Sequence, residues 1–333
     1  MIKKYSTRRQ FLNYGKLSLL LLLNSCSNSS KKIRISLQRS FYPQSFKDTL
    51  PASWQQENIN FSKFELENNK KQLSDSDFIL INDGWINSIN FESFQNINNL
   101  FPNDEFNKIS KNFLNSFKEY QRNKLLPIGV VPYAVIIKNN KDLIYRANKS
   151  WDFLLAEKLK GKIIFPQSPR IIMSISKKIN TKNSLSKLKN QVMLFDDQNS
   201  MNCLIHSQAS VAIIPYSQCF KYLKFDSRLS IIFPNKGVPL IWSFLLNKSK
   251  INNQILINWI NSFERRSIID ELANQGWYLP FNNEYSQNKY NISIKKDILG
   301  PSKICWENSW SLSSLNMREK LNLENFWNQS LTP

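Results

Sequence analysis

The middle of the chain, residues 126–173, alternates short apolar runs with polar turns, and this alternation constrains the fold more than any other feature. The apolar run at residues 128–137 predicts a buried strand. After a polar break, Ser150 and Trp151 open a short helical segment that leads to a predicted strand at residues 162–165. That strand ends in the turn Pro-Gln-Ser-Pro-Arg, where a helix begins. Such strand ends hold ligands in α/β folds, so a site is expected here.

The same pattern recurs on both sides of this stretch. Strands are predicted at residues 33–37, 78–81, 210–214 and 230–233, and the runs at 127–137 and 243–246 are expected to cross between two halves of the chain. Helices are predicted at residues 43–54, 90–120, 253–263 and 265–274. Gly276 follows the last of these as a C-terminal cap. The pattern therefore predicts an α/β protein.

Eight residues of the central stretch follow the pattern W..L....KGK...P..PR. They are Trp151, Leu154, Lys160, Gly161, Lys162, Pro166, Pro169 and Arg170. With this pattern, and with Gly276, Trp277 and Pro280 further on, the chain resembles family 1 extracellular solute-binding proteins of ABC importers, most closely the spermidine/putrescine-binding branch. The resemblance covers residues 33–285. It implies an α/β fold of the two-lobed, type II periplasmic binding protein kind, with crossover strands as the hinge.

The length of 333 residues exceeds what one hydrophobic core usually serves, so two lobes are expected. Taken with the resemblance, residues 33–135 and 243–285 are predicted to form lobe one, and residues 136–242 and 286–333 lobe two. Three tryptophans of the last segment are expected to pack on lobe two. They are Trp306, Trp310 and Trp327.

The N-terminal residues have the pattern of a twin-arginine lipoprotein signal peptide, predicted at residues 1–25 and followed by a tether at 26–32. Arg8 and Arg9 precede an apolar run at residues 17–23 that is too short to span a bilayer permanently. Cys26 follows a small residue, as at a lipidation site, so a lipid on its thiol would anchor the protein to the membrane. A basic amphipathic terminus and a signal without lipid are the alternatives. The expected location is the periplasmic or lumenal face of a bacterial membrane.

The formal net charge is +20, and five of the basic residues belong to the predicted signal peptide. A basic balance is typical of proteins that bind nucleic acid or anionic membranes. Here the lysines are scattered without an arginine-rich helix. This distribution favours a diffuse field near anionic lipid, or toward an anionic partner, over nucleic-acid binding.

Several function classes are excluded by residues that the sequence lacks. Glycine is scarce, with seven residues, and His206 is the single histidine. The sequence contains no glycine-rich phosphate-binding motif and no His/Cys spacing for zinc. We therefore expect no cofactor, no metal and no enzymatic activity.

The resemblance implies a cleft lined by aromatic side chains. They are Phe41, Trp85, Tyr216, Trp242 and Trp277. Such rings suit a polyamine because its methylene chain packs against their faces, while each ammonium gains about 0.5–2 kcal/mol of cation–π attraction. For any one of these rings taken alone, a role in the core is an equal alternative.

Ammonium groups also need carboxylates as partners. The positions where the resemblance implies acids hold Gln167, Ser168, Ile171 and Phe244. Asp83 is the one acid placed to replace them, beside Trp85, although it could simply cap the turn before Gly84. Arg39 and Arg170 could instead face an anionic solute.

Three cysteines follow the predicted lipidation site, namely Cys203, Cys219 and Cys305. An odd number in an exported chain leaves at least one unpaired. Twin-arginine substrates fold in a reducing compartment, which favours free, buried thiols. A disulfide between Cys203 and Cys219 is the alternative.

Together these features predict a monomeric, membrane-anchored lipoprotein that captures a small solute, nominally polyamine-like, by hinge closure and delivers it to an ABC permease. The alternative is a lipoprotein of the same fold without a transport role, acting as a scaffold or assembly factor at the membrane.

Overall fold

A computed structural model describes residues 32–38, 41–59, 75–101, 105–248, 253–281 and 300–329. The predicted signal peptide with Arg8 and Arg9, the predicted lipidation site Cys26, and Arg39 lie outside these ranges. Among the helices inside them, none has the length and apolar character needed to cross a bilayer.

The described strands form one sheet in the order β2-β1-β3-β9-β4-β7-β5-β6, with β10 beside β9 and β8 beside β4. The strands are β1 (Arg34–Gln38), β2 (Gln55–Ile59), β3 (Phe78–Asn82), β4 (Leu126–Lys138), β5 (Ile163–Phe165), β6 (Val192–Phe195), β7 (Val211–Pro215), β8 (Leu229–Ile232), β9 (Pro239–Asn247) and β10 (Trp310–Ser311).

Helices surround this sheet. They are α1 (Gln44–Lys47), α2 (Lys108–Leu114), α3 (Glu119–Arg122), α4 (Lys141–Lys149), α5 (Pro169–Ser176), α6 (Ser184–Lys189), α7 (Ser200–His206), α8 (Tyr216–Leu223), α9 (Asn253–Asn261), α10 (Arg266–Asn274), α11 (Lys303–Asn308) and α12 (Met317–Gln329). Short 3₁₀ segments lie at Asp83–Ser88, Phe91–Ser93, Trp151–Leu155, Glu157–Leu159 and Ser262–Glu264.

The sheet has two halves built in the same way. In the first half, β1 pairs in parallel with both β2 and β3. In the second half, β5 pairs in parallel with both β6 and β7. In each half the earliest strand therefore lies between the next two, and the strand order reverses beside it. Open α/β sheets bind ligands at the carboxyl ends of strands at such a switch point.

Strand β4 joins the two halves. Its first part pairs antiparallel with β9, from Leu126 opposite Leu245 to Pro132 opposite Leu240. Its second part, from Tyr133 onward, pairs antiparallel with β7 and β8. All but the last of its 13 residues are buried, which explains its nearly continuous apolar sequence. The predicted α/β fold with a crossover strand is confirmed.

Two predicted helices are much shorter in the structure. The prediction at residues 43–54 corresponds only to α1. The prediction at 90–120 is divided into a 3₁₀ segment, α2 and α3. Asparagine explains part of the difference, because its side chain competes for backbone hydrogen bonds and favours helix starts. The Asn107 side chain accepts from the backbone N–H of Ser110 at 3.0 Å and begins α2.

The last described segment, residues 300–329, packs along the crossover strands. β10 pairs in parallel with the start of β9, Trp310 opposite Pro239. Trp310 lies 6.3 Å from Trp151, and Trp327 lies 5.4 Å from Phe195, both ring to ring. Trp306 instead packs against Tyr278 at 4.9 Å.

Candidate functional site

Polar side chains of the first half meet at the carboxyl ends of β1 and β3. The Asn82 side chain donates to Gln38 Oε1 at 2.8 Å. Nearby, the hydroxyls of Tyr42 and Ser243 lie 2.7 Å apart, and Ser243 is the register partner of Asn82 on β9. The side chains at this edge of the sheet are therefore polar and uncharged, with Asp83 as the charged exception.

Asp83 follows β3 and is 5% exposed. Its carboxylate accepts backbone hydrogen bonds from Gly84 and Trp242. Burial raises the pKa of Asp83 to about 6, although Arg170 and the two backbone N–H groups act to lower it. Asp83 is thus a buried carboxylate whose surroundings compensate its charge incompletely.

Arg170 comes from the opposite half, in the first turn of α5. Its Nη2 donates to the carbonyl oxygen of Leu312 at 2.9 Å and lies 3.5 Å from Asp83 Oδ2. Gly84 leaves room for this approach, since a Cβ there would lie only 3.0 Å from Arg170 Nη1. The strand ends of the two halves therefore meet through Asp83 and Arg170.

Asp197 is a second carboxylate at this site, and the sequence analysis missed it. It follows β6, and its Oδ1 accepts from the backbone N–H of Gln167 at 3.0 Å. Surrounding protein raises the pKa of Asp197 by desolvation, the Gln167 bond lowers it, and Asp196 raises it further. The Asp197 side chain is exposed at the surface, so a solute could reach it. An apolar run before an Asp-Asp pair is the signal that could have found it.

Tyr133 lies among these charged groups, where β4 passes from one half to the other. It is 5% exposed, and its hydroxyl makes no hydrogen bond to any described residue. Burial raises the pKa of Tyr133, as do the carboxylates of Asp197 and Asp83, whereas Arg170 lowers it. Asp83, Asp197 and Arg170 therefore all influence the ionisation of Tyr133.

Two of the predicted cleft aromatics lie in the core of the first half. Trp277 is fully buried, with its ring 5.6 Å from Phe41 and 5.2 Å from both Tyr42 and Phe46. Its ring also fills the space beside Gly129, where a Cβ would lie 2.1 Å from ring carbons. Phe41 and Trp277 thus contribute to packing behind the strand ends.

Of the other three predicted aromatics, Trp85 and Trp242 lie next to Asp83. Trp242 is 1% exposed, and its Nε1 donates to Ser311 Oγ at 2.8 Å. Trp85 is half-buried in the same 3₁₀ segment as Asp83, and the ammonium of Lys320 lies 5.3 Å from its ring centre. Tyr216 begins α8, is fully buried, and packs on Phe233 at 5.3 Å.

An open groove of about 800 Å³ lies between the first half of the sheet and the C-terminal segment. Its lining includes Asn87, Phe91, Tyr120, Lys124, Ser314 and Glu319. Asn87 belongs to the 3₁₀ segment that holds Asp83 and Trp85, but neither of these two residues lines the groove.

The described ranges contain no group of three or more His, Cys, Asp or Glu side chains that could hold a metal ion. Cys203, Cys219 and Cys305 are free thiols, with Cys203 half-buried and the other two buried. This agrees with the favoured hypothesis of unpaired cysteines.

Comparison with known proteins finds similarity in fold. Neither a protein-family model nor a curated protein sequence matches the chain. The lipoprotein TpPotD of Treponema pallidum superposes with a TM-score of 0.64 at 16% identity, over 90% of this chain and 98% of its own. The spermidine/putrescine ABC transporter substrate-binding protein of Streptococcus pneumoniae gives 0.62 at 12% identity, over 91% and 99%. A ferric binding protein of Campylobacter jejuni gives 0.51 at 12%, over 90% and 97%.

The fold is therefore that of the two-lobed periplasmic binding proteins, as the resemblance in sequence implies. At these identities the likeness concerns the fold alone. It includes proteins named for polyamines and one named for ferric iron, so the choice of solute depends on the side chains of the site.

Proposed function

We propose that the protein is a solute-binding protein of an ABC importer, which captures a small solute between two lobes and delivers it to a permease. The single observation that best supports this is the meeting of Asp83 and Arg170 from opposite halves of the sheet. A solute bound there would contact both halves and shift the population from open to closed. We propose lobe one at residues 33–135 and 243–285, and lobe two at 136–242 and 286–333.

The proposed cargo is polyamine-like, the class named for one of the similar structures. The proposed contacts with the solute lie around one point and are made by Asp83, Trp85, Trp242 and Arg170. A buried carboxylate beside indole rings suits an ammonium on an apolar stem, which gains both charge pairing and cation–π attraction. Phe41, Tyr216 and Trp277 are proposed to support these contacts by packing.

We further propose export by the twin-arginine route through Arg8 and Arg9, lipid attachment at Cys26, and function as a monomer at the periplasmic or lumenal face of a bacterial membrane. Two signals, a lipid and a basic surface, would together give stable membrane attachment. Mass spectrometry of the protein purified from membranes tests this, since Cys26→Ser should abolish a lipid adduct and release the protein.

The C-terminal segment favours a second candidate, a scaffold or assembly factor without a transport role. Its residues already contact the proposed binding residues: Ser311 accepts from Trp242, Leu312 from Arg170, and Lys320 lies over Trp85. A site occupied by the chain itself would have lost solute capture.

Thermal unfolding of the purified protein with polyamines, amino acids and small oxyanions separates these candidates, because a ligand that binds only the native state raises the melting temperature. We expect a rise with a polyamine that disappears in Trp85→Ala. A rise with an oxyanion that disappears in Arg170→Ala would replace the polyamine-like class. No rise with any solute would favour the scaffold.

A further inference from the structure

One end of the second half, opposite the carboxyl ends of β5, β6 and β7, is formed by five connections. They comprise residues 138–141, 158–162, 187–191, 207–210 and 224–228, together named the basic end. Backbone hydrogen bonds of 2.9–3.1 Å join neighbouring connections, from Asn139 to Arg228, from Lys138 to Ser210, from Ser210 to Lys162 and from Lys162 to Gln191. The five connections therefore form one continuous surface.

Lysine accumulates at the basic end because a long stretch of the chain there has no acid. Residues 158–195 include neither Asp nor Glu. The exposed lysines of the basic end that make no ion pair within the described ranges are Lys141, Lys160, Lys162, Lys187 and Lys224. The fold thus brings together lysines that are far apart in the sequence.

The acids beside the basic end do not neutralise these lysines. Asp142 already forms an ion pair with Lys158, and Asp226 forms one with Arg228 at 2.7 Å. Glu157 adds a single opposing charge. The surface therefore keeps a positive charge that only a partner can compensate.

Phe225 is a second, independent feature of this surface. It lies in the turn between α8 and β8 and is 88% exposed, more than any other large apolar side chain in the described ranges. Its backbone N–H donates to the carbonyl oxygen of Tyr222 at 3.1 Å, so a hydrogen-bonded turn holds the ring outside the core. An aromatic ring beside lysines suits a membrane interface, where the ring enters the acyl boundary and the ammonium groups meet lipid phosphates.

An anionic bilayer fits this surface better than nucleic acid does. Lysine is a compact, strongly hydrated charge, whereas bidentate recognition of phosphate depends on arginine. Single-stranded nucleic acid is held by several rings on which successive bases stack, and Phe225 is the one aromatic residue of the basic end. A bilayer requires only positive charge near its surface and an apolar side chain that can insert.

We propose that the basic end is a docking surface for membranes of anionic phospholipid, with Phe225 inserted among the headgroups. This goes beyond the proposed function, because none of the residues around Asp83 and Arg170 takes part. With the basic end on a bilayer, the carboxyl ends of β5, β6 and β7 face away from the lipid. The proposed solute site then stays open to the surrounding solution.

Sedimentation of the full chain with lipid vesicles tests this. The chain carries Cys26→Ser so that no attached lipid contributes, and residues 1–25 are the same in every variant. We expect binding to vesicles of phosphatidylglycerol and phosphatidylcholine, weaker binding at high salt, and little binding to phosphatidylcholine alone. Lys160→Glu combined with Lys162→Glu should weaken binding at least about tenfold. Phe225→Ser should weaken it about threefold or more.

The first half of the sheet offers matched controls. Lys108→Glu combined with Lys118→Glu makes the same change of charge at exposed lysines, and Tyr120→Ser removes a ring that is 55% exposed. Neither control should change vesicle binding, and circular dichroism confirms that each variant folds. Equal binding by wild type and by the lysine variant of the basic end would overturn the proposal.

Hydrogen–deuterium exchange shows directly which surface meets the lipid. Phosphatidylglycerol vesicles should slow exchange at residues 158–162 and 224–228 and leave residues 108–114 unchanged. If vesicles bind without slowing exchange at the basic end, the proposal is wrong. If a single-stranded oligonucleotide slows exchange there and vesicles do not, the partner is nucleic acid and the proposal is also wrong. Solute capture stands in either case, since thermal unfolding with solutes tests it separately.

Discussion

The guanidinium of Arg170 lies 3.5 Å from the carboxylate of Asp83, which links the end of β3 in one half of the sheet to the first turn of α5 in the other. The side chains are only 17% and 7% exposed, respectively. In such a buried pair the cost of desolvation offsets most of the attraction, but loss of one partner leaves the other uncompensated.

Arg170→Met should therefore destabilise the protein more than Asp83→Asn. The first variant leaves the buried Asp83 carboxylate without its counter-ion and removes the hydrogen bond to Leu312. We expect it to lower the free energy of unfolding by about 3 kcal/mol. The second leaves Arg170 its contact with the Leu312 carbonyl and removes a poorly compensated charge. Denaturant unfolding at pH 7 measures both free energies. Equal losses in the two variants would contradict this view of the pair.

The pH dependence of stability should report the raised pKa of Asp83. The carboxyl titrates at about 6 in the folded protein against 3.8 as its ordinary value, so the folded state holds the proton more tightly. Its contribution to stability is then greatest below pH 4 and is lost as the pH rises from 4 to 6, by about 3 kcal/mol.

The unfolding free energy of wild type minus that of Asp83→Asn isolates this group, because the other titrating residues are common to both. That difference should fall between pH 4 and pH 6 and stay level above it. A difference that rises over this interval would mean that the pKa of Asp83 is lowered by folding.

Strand ends could be predicted where the strand is buried on both faces. Residues of β3 and β7 are all buried and give continuous apolar runs, so Asp83 and Tyr216 were placed after strands from sequence alone. β6 lies at the edge of the sheet and has only four residues, so its short apolar run does not by itself distinguish a strand from a helical segment. Asp197 was missed with its strand.

The orientation of the aromatic rings was beyond prediction for a different reason. A ring after a strand can face the cleft or the core, and long-range packing decides which. Trp277 is held in the core by the space at Gly129, which is far away in the sequence. No local pattern encodes that contact.

Gly237 should be essential for attaching the C-terminal segment. Its φ is +82°, and a Cβ there would lie 2.0 Å from the backbone oxygen of Asn308. Gly161 is the matched control, because its φ is +65° and a Cβ would meet nothing within 4 Å. Gly161→Ala should cost about 1–2 kcal/mol through the left-handed backbone alone. Gly237→Ala should lower the free energy of unfolding by more than this and make residues 300–329 accessible to limited proteolysis. Equal stability and equal protease resistance of the two variants would contradict this prediction.

The three thiols should differ in reactivity in the folded protein. Cys203 is half-buried, whereas burial raises the pKa of Cys305 to about 12 and that of Cys219 well above its ordinary value. Because the thiolate is the nucleophile, Ellman's reagent should modify Cys203 first in a Cys26→Ser background. All three should react after unfolding in guanidinium. Modification of Cys219 as fast as Cys203 in the native state would contradict its burial.

Lys320 should compete with a cationic solute for Trp85. Its ammonium lies 5.3 Å from the ring centre, within the range of cation–π attraction, and so holds the position that a solute ammonium would take. Lys320→Ala should raise putrescine affinity about two- to fivefold, since a contact of this kind near the surface is worth about 0.5–1 kcal/mol. Lys189→Ala is the matched control, because Lys189 lies 3.8 Å from the ring centre of Trp327, a contact of the same type at a different tryptophan. Calorimetry should show no change for the control. A loss of putrescine affinity in Lys320→Ala would instead mean that this lysine helps to build the site.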